Sequence, residues 1–494
     1  MDHFDPPFST ILVANRGEIA VRVIRTAKAL GIKTVAVYSD ADRSSLHTLI
    51  ADEAVWVGGP EPAESYLNVE AIVEAAKETG AEAVHPGYGF LSQRADFVER
   101  LEEEGIVFIG PPAHIQKLVG DKLGARRFFQ NAGIEVVPGT LTAVEALDAP
   151  SVAEELGYPV IVKPAGGGGG IGMRIAWREE ELVKAMRDAS ELAGKAFGRL
   201  EVYLEKYLPN ARHIEVQIIG DGHGRIFHLF ERECSVQRRF QKIVEEAPSP
   251  ALDQERRQRL LSQALKAAKA CKYVNAGTFE FLYDPSADNF YLLEVNSRIQ
   301  VEHPVTEMIT GIDIVREQIL VAAGYGVSFK QDDVAVHGHA IETRVYAEDP
   351  LNAFAPSPGV LEDYRPPEGP WVRVDSGYYA GAEVPMYYDS LLMKIVCWGV
   401  TRDEARRRAL SAIEETIVKG VATNLPLLHL VLSSEAFASG NYNTRILEDG
   451  NLLDKLNSYT YRKLAIESKK KEELSPTRQI GIEAWKLAAR FYAS

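Results

Sequence analysis

A chain of 494 residues, 46% hydrophobic and 25% charged, has the composition of a soluble globular protein with room for about three domains. Its formal net charge of −15 argues against a broad basic surface for nucleic acid or anionic lipid. No apolar run reaches the roughly 18 residues that a membrane-spanning helix needs, so neither nucleic acid nor a membrane is an expected partner.

The first segment, MDHFDPPFSTILVANRG, has neither a basic leader nor a long apolar stretch, and a mature start near Met1 is expected. TILVA, TVAVYS, EAVHPG and IVFIG then alternate with helical patterns such as EIAVRVIRTAKALG and DFVERLEEEG. That alternation predicts parallel βαβ units and a Rossmann-like N-terminal domain over 1–120. The first turn, Ala14-Asn15-Arg16-Gly17-Glu18, lacks the G-x-G-x-x-G that seats a pyrophosphate, so a nicotinamide dinucleotide is not expected.

A smaller unit is predicted over 133–208: strands EVVPG, YPVIVKP, MRIAW and VYLEKYL, a helix from Glu179 to Gly194, and a glycine tract between two strands that suggests a mobile lid hairpin. Over 209–450 long strands dominate, among them HIEVQIIG, GRIFHLFER, GTFEFLYD, FYLLEVNS and HAIETRVYAED, and this stretch is the expected α+β catalytic body. In the tail, 451–494, Ile480, Ala484, Leu487 and Phe491 fall at helical spacing and predict a short amphipathic helix, which we expect to touch a partner or a second copy of the chain. Cys234, Cys271 and Cys397 stand in no metal-ligand spacing, which points to a reducing cytoplasm without zinc.

Gly166, Gly167, Gly168, Gly169 and Gly170 are consecutive and followed by Ile171 and Gly172. Without Cβ atoms, successive N–H groups can turn toward one anion, so the tract predicts a phosphate cradle. It is not a P-loop, because G-x-x-x-x-G-K-[ST] is absent and strands flank it on both sides. Lys163, just before it, and Lys122, at a predicted helix start, are candidate charges for a triphosphate.

Glu294-Val295-Asn296-Ser297-Arg298-Ile299-Gln300-Val301-Glu302 carries the strongest period-two pattern in the chain. Extended, it would project Glu294, Asn296, Arg298, Gln300 and Glu302 from one face. A second strand, Thr278-Phe279-Glu280-Phe281-Leu282, could set Glu280 beside Glu294. Two carboxylates about 4 Å apart repel by roughly 4 kcal/mol at an effective dielectric near 20, a conflict that a divalent cation resolves. Oxygen ligands beside a triphosphate point to Mg²⁺ or Mn²⁺. His213, Glu215 and Gln217 alternate in HIEVQII and are expected in the same cleft.

Together these residues resemble the ATP-grasp biotin carboxylases. ANRGEIAVR, HPGYGFLS, KPAGGGGGIGMR, EKYL, RHIEVQ, CSVQRRFQKIVEEAP, GTFEF and EVNSRIQVEHPVTEMITG follow one another in the family's order between about residues 8 and 450. The resemblance implies an α/β and α+β architecture: a Rossmann-like N-terminal (pre-ATP-grasp) domain, an ATP-grasp fold with a mobile lid, and a C-terminal biotin carboxylase domain. It implies that Lys122, Lys163, the glycine tract, Met173, Lys206 and His213 hold ATP, that Gln237 sits by the ribose, and that Glu205 and the backbone near Leu208 read adenine. Glu280, Glu294 and Asn296 would hold two metal ions. Arg298, Gln300 and the Val301 backbone would bind bicarbonate, which Glu302 would deprotonate. Lys242 would support phosphoryl transfer, and Arg344 with Tyr88 would meet biotin.

Two positions depart from the family pattern: Ile171 replaces a cationic residue in the glycine loop, and Phe240 replaces a histidine in QRRFQK. No A-M-K-M biotinylation motif occurs, so the biotin carboxyl carrier protein and the carboxyltransferase are expected on separate chains, with this chain as a homodimer. The competing readings are another ATP-grasp ligase, for instance one making carbamate, and a nucleotide-binding regulatory protein without turnover.

Overall fold

The computed structural model describes residues 7–166, 172–197, 200–456 and 458. Strands β1 (Thr10–Val13), β2 (Lys33–Tyr38), β3 (Glu53–Trp56), β4 (Ala83–His85) and β5 (Val107–Phe108) form a parallel sheet in the order β3-β2-β1-β4-β5. TILV is buried at every position because β1 lies mid-sheet and is covered on both faces. Helix α1 (Gly17–Ala29) turns Ile19, Ala20, Val23, Ile24 and Ala27 into a core shared with β1 and β2. This is the Rossmann-like unit expected from the alternating pattern. The strand order reverses between β1 and β4, and their carboxyl ends deliver Arg16, Glu18 and Tyr88 to one cavity.

Arg16, just ahead of α1, is held in a fork by Asp42, with Nε 2.8 Å from Oδ2 and Nη2 2.9 Å from Oδ1. Tyr66 and Ser45 also donate to Asp42. Burial would raise this carboxyl, but the Arg16 charge and its hydrogen bonds outweigh that and lower it from 3.8 to about 2. The resulting stability is present above the unfolded value and lost as pH falls from there through the folded value. Asp42→Asn should therefore cost about 2 kcal/mol at neutral pH, a difference that shrinks below about pH 4, as urea unfolding at several pH values would read.

Next in the chain, β6 (Val160–Pro164), β7 (Arg174–Ala176) and β8 (Val202–Lys206) form a three-stranded antiparallel sheet, with β6 in the middle. Leu182, Ala185, Met186 and Ala189 of the helix Glu179–Phe197 cover it and close a separate small core. The hairpin expected around the glycine tract is the β6–β7 pair; Gly167 to Gly170 and Ile171 lie outside the described residues. EVVPG is not a strand. It makes only two isolated bridges, Val136 to Leu292 and Gly139 to Glu205, and Pro138 between them can donate no ladder hydrogen bond.

The body is one sheet of eight strands. β9 (Arg212–Gly220), β10 (Ile226–Arg238), β11 (Gln241–Ala247), β12 (Asn275–Asp284), β13 (Asn289–Asn296) and β14 (His339–Tyr346) are joined by Leu391–Gly399 and Val372–Ser376 in the order β13-β12-β9-β10-β11-β14, then 391–399, then 372–376. Ile214, Val216, Ile218, Phe279 and Phe281 pack against Leu260, Leu261 and Ala264 of the helix Gln254–Ala270. At the other end Ile341, Ile395 and Cys397 pack against Ala405, Ala409 and Ile413 of the helix Arg402–Glu415. β10 and β11 meet in a two-residue turn, Arg239-Phe240, with both residues at positive φ (51° and 68°), where glycine or asparagine is the usual choice. Among the described residues no helix is long and apolar enough to cross a membrane. The helix expected around Ile480 to Phe491 falls outside them.

Candidate active site

The site is built on the register of three neighbouring strands. Glu280 on β12 stands opposite Glu294 on β13 and, on its other side, opposite Glu215 on β9. Strands lie about 4.8 Å apart, so three carboxylates in one row demand cations. Lys242 of β11 answers two of them and a fourth carboxylate at once: its Nζ lies 2.6 Å from Glu215, 3.0 Å from Glu280 and 2.6 Å from Glu302. Arg232, wholly buried, holds the other oxygen of Glu215 and donates to Gln217, Thr278 and Thr306. Of the HIEVQII alternation, only His213 lines the cavity; Glu215 and Gln217 lie below it, occupied by Arg232. Burial would lower Lys242, but Glu215, Glu280 and Glu302 hold it well above the usual lysine value.

The carboxylate run is extended only as far as Asn296. Ser297 to Val301 leave the sheet, and Glu302 is the residue that caps the helix His303–Thr310. The β12–β13 ladder ends at Thr278 and Asn296. Beyond it the Arg298 guanidinium donates to Asn296 Oδ1, Gln300 Oε1 and the Ile299 carbonyl, and Pro304 lies in the first turn of the helix that follows. The side chains nonetheless converge: Glu294, Asn296, Arg298, Gln300, Val301 and Glu302 all line one cavity of about 1010 Å³.

Within it, Glu302 is gripped from both sides, Oε1 by Lys242 at 2.6 Å and Oε2 by Arg344 Nη2 at 2.8 Å. Burial would raise it, yet Lys242, Arg344 and Arg232 keep it well below the carboxylate range, so it is ionised at neutral pH. Arg298 is the opposite case. Its Nε donates to Gln93 and its other bonds go to amides and a carbonyl, and among the described residues no carboxylate lies within ion-pair distance of it. A half-buried guanidinium whose partners are all neutral keeps its charge for an anion that enters.

Lys122, Lys163, Met173, His213, Gln237 and Phe240 line the same cavity, with His213 Nε2 2.7 Å from Glu280 Oε2, and Tyr88 of the N-terminal unit and Arg344 of the body line it too. Glu205, Lys206 and Leu208, expected to contact ATP, do not line the cavity. Glu205 is buried behind it in contact with Arg126 and Lys163, and Lys206 Nζ is spent on the carbonyls of Gly157 and Tyr158. Gly166 is described but is not among the lining residues.

Sequence reasoning missed Arg126, Gln93 and the chain that fixes the Val301 backbone. Lys394, wholly buried on the strand Leu391–Gly399, donates to the Val301 carbonyl at 2.8 Å and sits 3.0 Å from Glu18, which in turn accepts from Tyr88. These partners are far apart in the chain, and no local pattern marks them.

Glu280 and Glu294 with Asn296 could hold a divalent cation. Asn296 Nδ2 lies 2.8 Å from Glu280 and 3.5 Å from Glu294, and the nearest cation to Glu294 is Lys122 Nζ at 3.8 Å. Facing carboxylates, one of them held among the described residues only by the loose Lys122 contact, are a hard-oxygen donor set that fits Mg²⁺.

Three family models match in succession: the N-terminal domain of biotin carboxylase over residues 7–115, the ATP-binding domain of the carbamoyl-phosphate synthase L chain over 121–330, and the C-terminal domain of biotin carboxylase over 342–449. Biotin carboxylase 1 of Bacillus subtilis is 50% identical over 439 residues, 89% of this chain and 98% of that one. The biotin carboxylase of Pseudomonas aeruginosa is 48% identical over 447 residues, 90% of this chain and 99% of that one. Among solved structures, the biotin carboxylase domain dimer of Hydrogenobacter thermophilus 2-oxoglutarate carboxylase, crystallised with MgADP, ADP and bicarbonate, superposes with a TM-score of 0.88 at 47% identity, covering 90% of this chain and 98% of that one.

Proposed function

This chain belongs to the biotin carboxylase family, and from that premise we propose that it uses ATP and bicarbonate to carboxylate biotin borne on a carrier protein, releasing ADP and phosphate. One observation carries the reading: an ionised, doubly gripped Glu302 shares a cavity with Arg298, whose charge meets no carboxylate among the described residues. That is a seat for a small anion with a base beside it.

Bicarbonate is a weak nucleophile until it loses its proton. Arg298, Gln300 and the Val301 backbone orient it, and Glu302 accepts the proton as an oxygen attacks the γ-phosphate. Lys122, Lys163 and His213 face the phosphates, and Lys242 spreads the charge that builds up at the transfer. Magnesium on Glu280, Glu294 and Asn296, two ions in the full reading and manganese as a substitute, would neutralise the phosphate tail. Arg344, freed from Glu302 once that group is protonated, is placed to stabilise the enolate of biotin, with Tyr88 beside it. Carboxyphosphate is the intermediate this order of events requires.

The carrier and the carboxyltransferase belong on other chains, the chain pairs with a second copy, and the reaction takes place in the cytoplasm. ADP release should require bicarbonate and rise when free biotin is added. Release indifferent to biotin would favour a carbamate-type ligase, and nucleotide binding without release would favour a regulatory role.

A further inference from the structure

A second carboxylate lies behind Glu302, and the mechanism above leaves it unused. Glu245 on β11 and Glu302 reach the same nitrogen of Arg344: Nη2 is 2.8 Å from Glu302 Oε2 and in ion-pair contact with Glu245 Oε1. Glu245 is wholly buried, does not line the cavity, and its Oε2 has no hydrogen-bond partner among the described residues. Its direct cross-strand neighbour on β14 is Glu342, whose two oxygens are likewise buried and without hydrogen bonds among the described residues. Two carboxylates side by side in a sheet interior do not both ionise.

Burial drives Glu342 well above the usual carboxylate range, and the facing Glu245 adds to that against the charge of Lys394, so Glu342 keeps its proton. Glu245 has Arg344 and Lys242 nearby, and burial raises it only to about 7. The remaining groups that face it are Glu302 and the thiol of Cys234 on β10, which burial keeps protonated.

We propose that Glu245 receives the proton that Glu302 removes from bicarbonate, which clears the base within the same turnover. The inference rests on the biotin carboxylase reading. The bicarbonate O–H bond breaks, its electron pair stays on the oxygen that attacks phosphorus, and the proton forms an O–H bond on Glu302. That bond then breaks as an O–H bond forms on Glu245, whose Oε1 contacts the same Arg344 nitrogen as Glu302 Oε2. A base held far below the normal range is a poor resting place for a proton, and Glu245 is the better one.

Glu245 must start ionised, so the rate should rise with pH through about 7 when bicarbonate concentration is held constant. With the full chain, Mg²⁺, ATP and free biotin, Glu245→Gln should lower kcat at alkaline pH by at least about tenfold, leave both KM values within about twofold and abolish that limb. It should also enlarge the solvent deuterium isotope effect on kcat. Glu245→Asp should restore the limb. An unchanged limb in Glu245→Gln, or a raised KM with kcat intact, would overturn the proposal. The wild-type protein offers a check that needs no variant to fold: an infrared band of a protonated buried carboxyl should vanish with a midpoint near 7, and its absence would also overturn the idea. No bicarbonate-dependent ADP release from wild type would remove the family reading and this step together, whereas normal wild-type turnover with an unaltered variant removes this step alone.

Discussion

Glu302→Gln should lower kcat for bicarbonate-dependent ADP release by roughly 10²- to 10⁴-fold while ATP affinity changes only a few-fold. The amide has almost the same shape as the carboxylate but cannot take up a proton. Lys242 keeps Glu215 and Glu280 as partners, so the variant leaves that cation paired. Arg344 keeps Glu245. The fold should therefore survive, and the loss should appear in kcat rather than in KM for ATP. Steady-state rates at saturating bicarbonate, together with nucleotide binding by calorimetry, measure both halves. A kcat within about threefold of wild type would remove Glu302 as the base.

Lys242→Met should damage both stability and rate. Three carboxylates converge on this ammonium at 2.6 to 3.0 Å, and only 12% of the side chain is exposed. Removing one partner of a buried ion cluster costs about 3–5 kcal/mol, because the remaining charges stay buried and uncompensated. Glu302 would also rise toward the ordinary carboxylate range once its nearest cation is gone. Acid should then inactivate the variant at a higher pH than wild type, because Lys242 also lowers Glu245, the group that sets the limb near 7, and both carboxylates move up without it. Urea midpoints and the pH profile of ADP release read the two effects separately. A variant as stable as wild type, with the same acid limb, would show that the cluster does not depend on Lys242.

How much of this was legible in the sequence depends on how local the pattern is. The alternation of Glu294 to Glu302 and the aromatic-flanked Glu280 were enough to pair Glu280 with Glu294, and β12 and β13 carry them in that register. The same alternation overextended the strand. The chain leaves the sheet after Asn296, where Arg298 bonds its own neighbours, yet every second side chain still reaches the cavity. Period two picked out the polar side chains that face the site but not Val295 and Val301, which line it as well, nor the backbone that carries them.

The parallel N-terminal sheet was readable because its strands are short, apolar and separated by helical periods. EVVPG misled for the opposite reason: an apolar run of strand-like residues ends in a proline and makes only isolated bridges. Glu245, Glu342 and Lys394 were invisible as site residues. Each is a charge within a strand whose meaning comes only from what the neighbouring strands set beside it. Glu205 was legible from its motif, whereas the ion pairs of its carboxylate with Arg126 and Lys163 were not.

The central claim is that an oxygen of bicarbonate, readied by Glu302 and Arg298, attacks the γ-phosphate of ATP. Turnover with ¹⁸O-labelled bicarbonate in unlabelled water, followed by mass spectrometry of the inorganic phosphate, tests it directly. One heavy oxygen per phosphate is the result the geometry predicts; phosphate carrying only oxygens from ATP and water would contradict it.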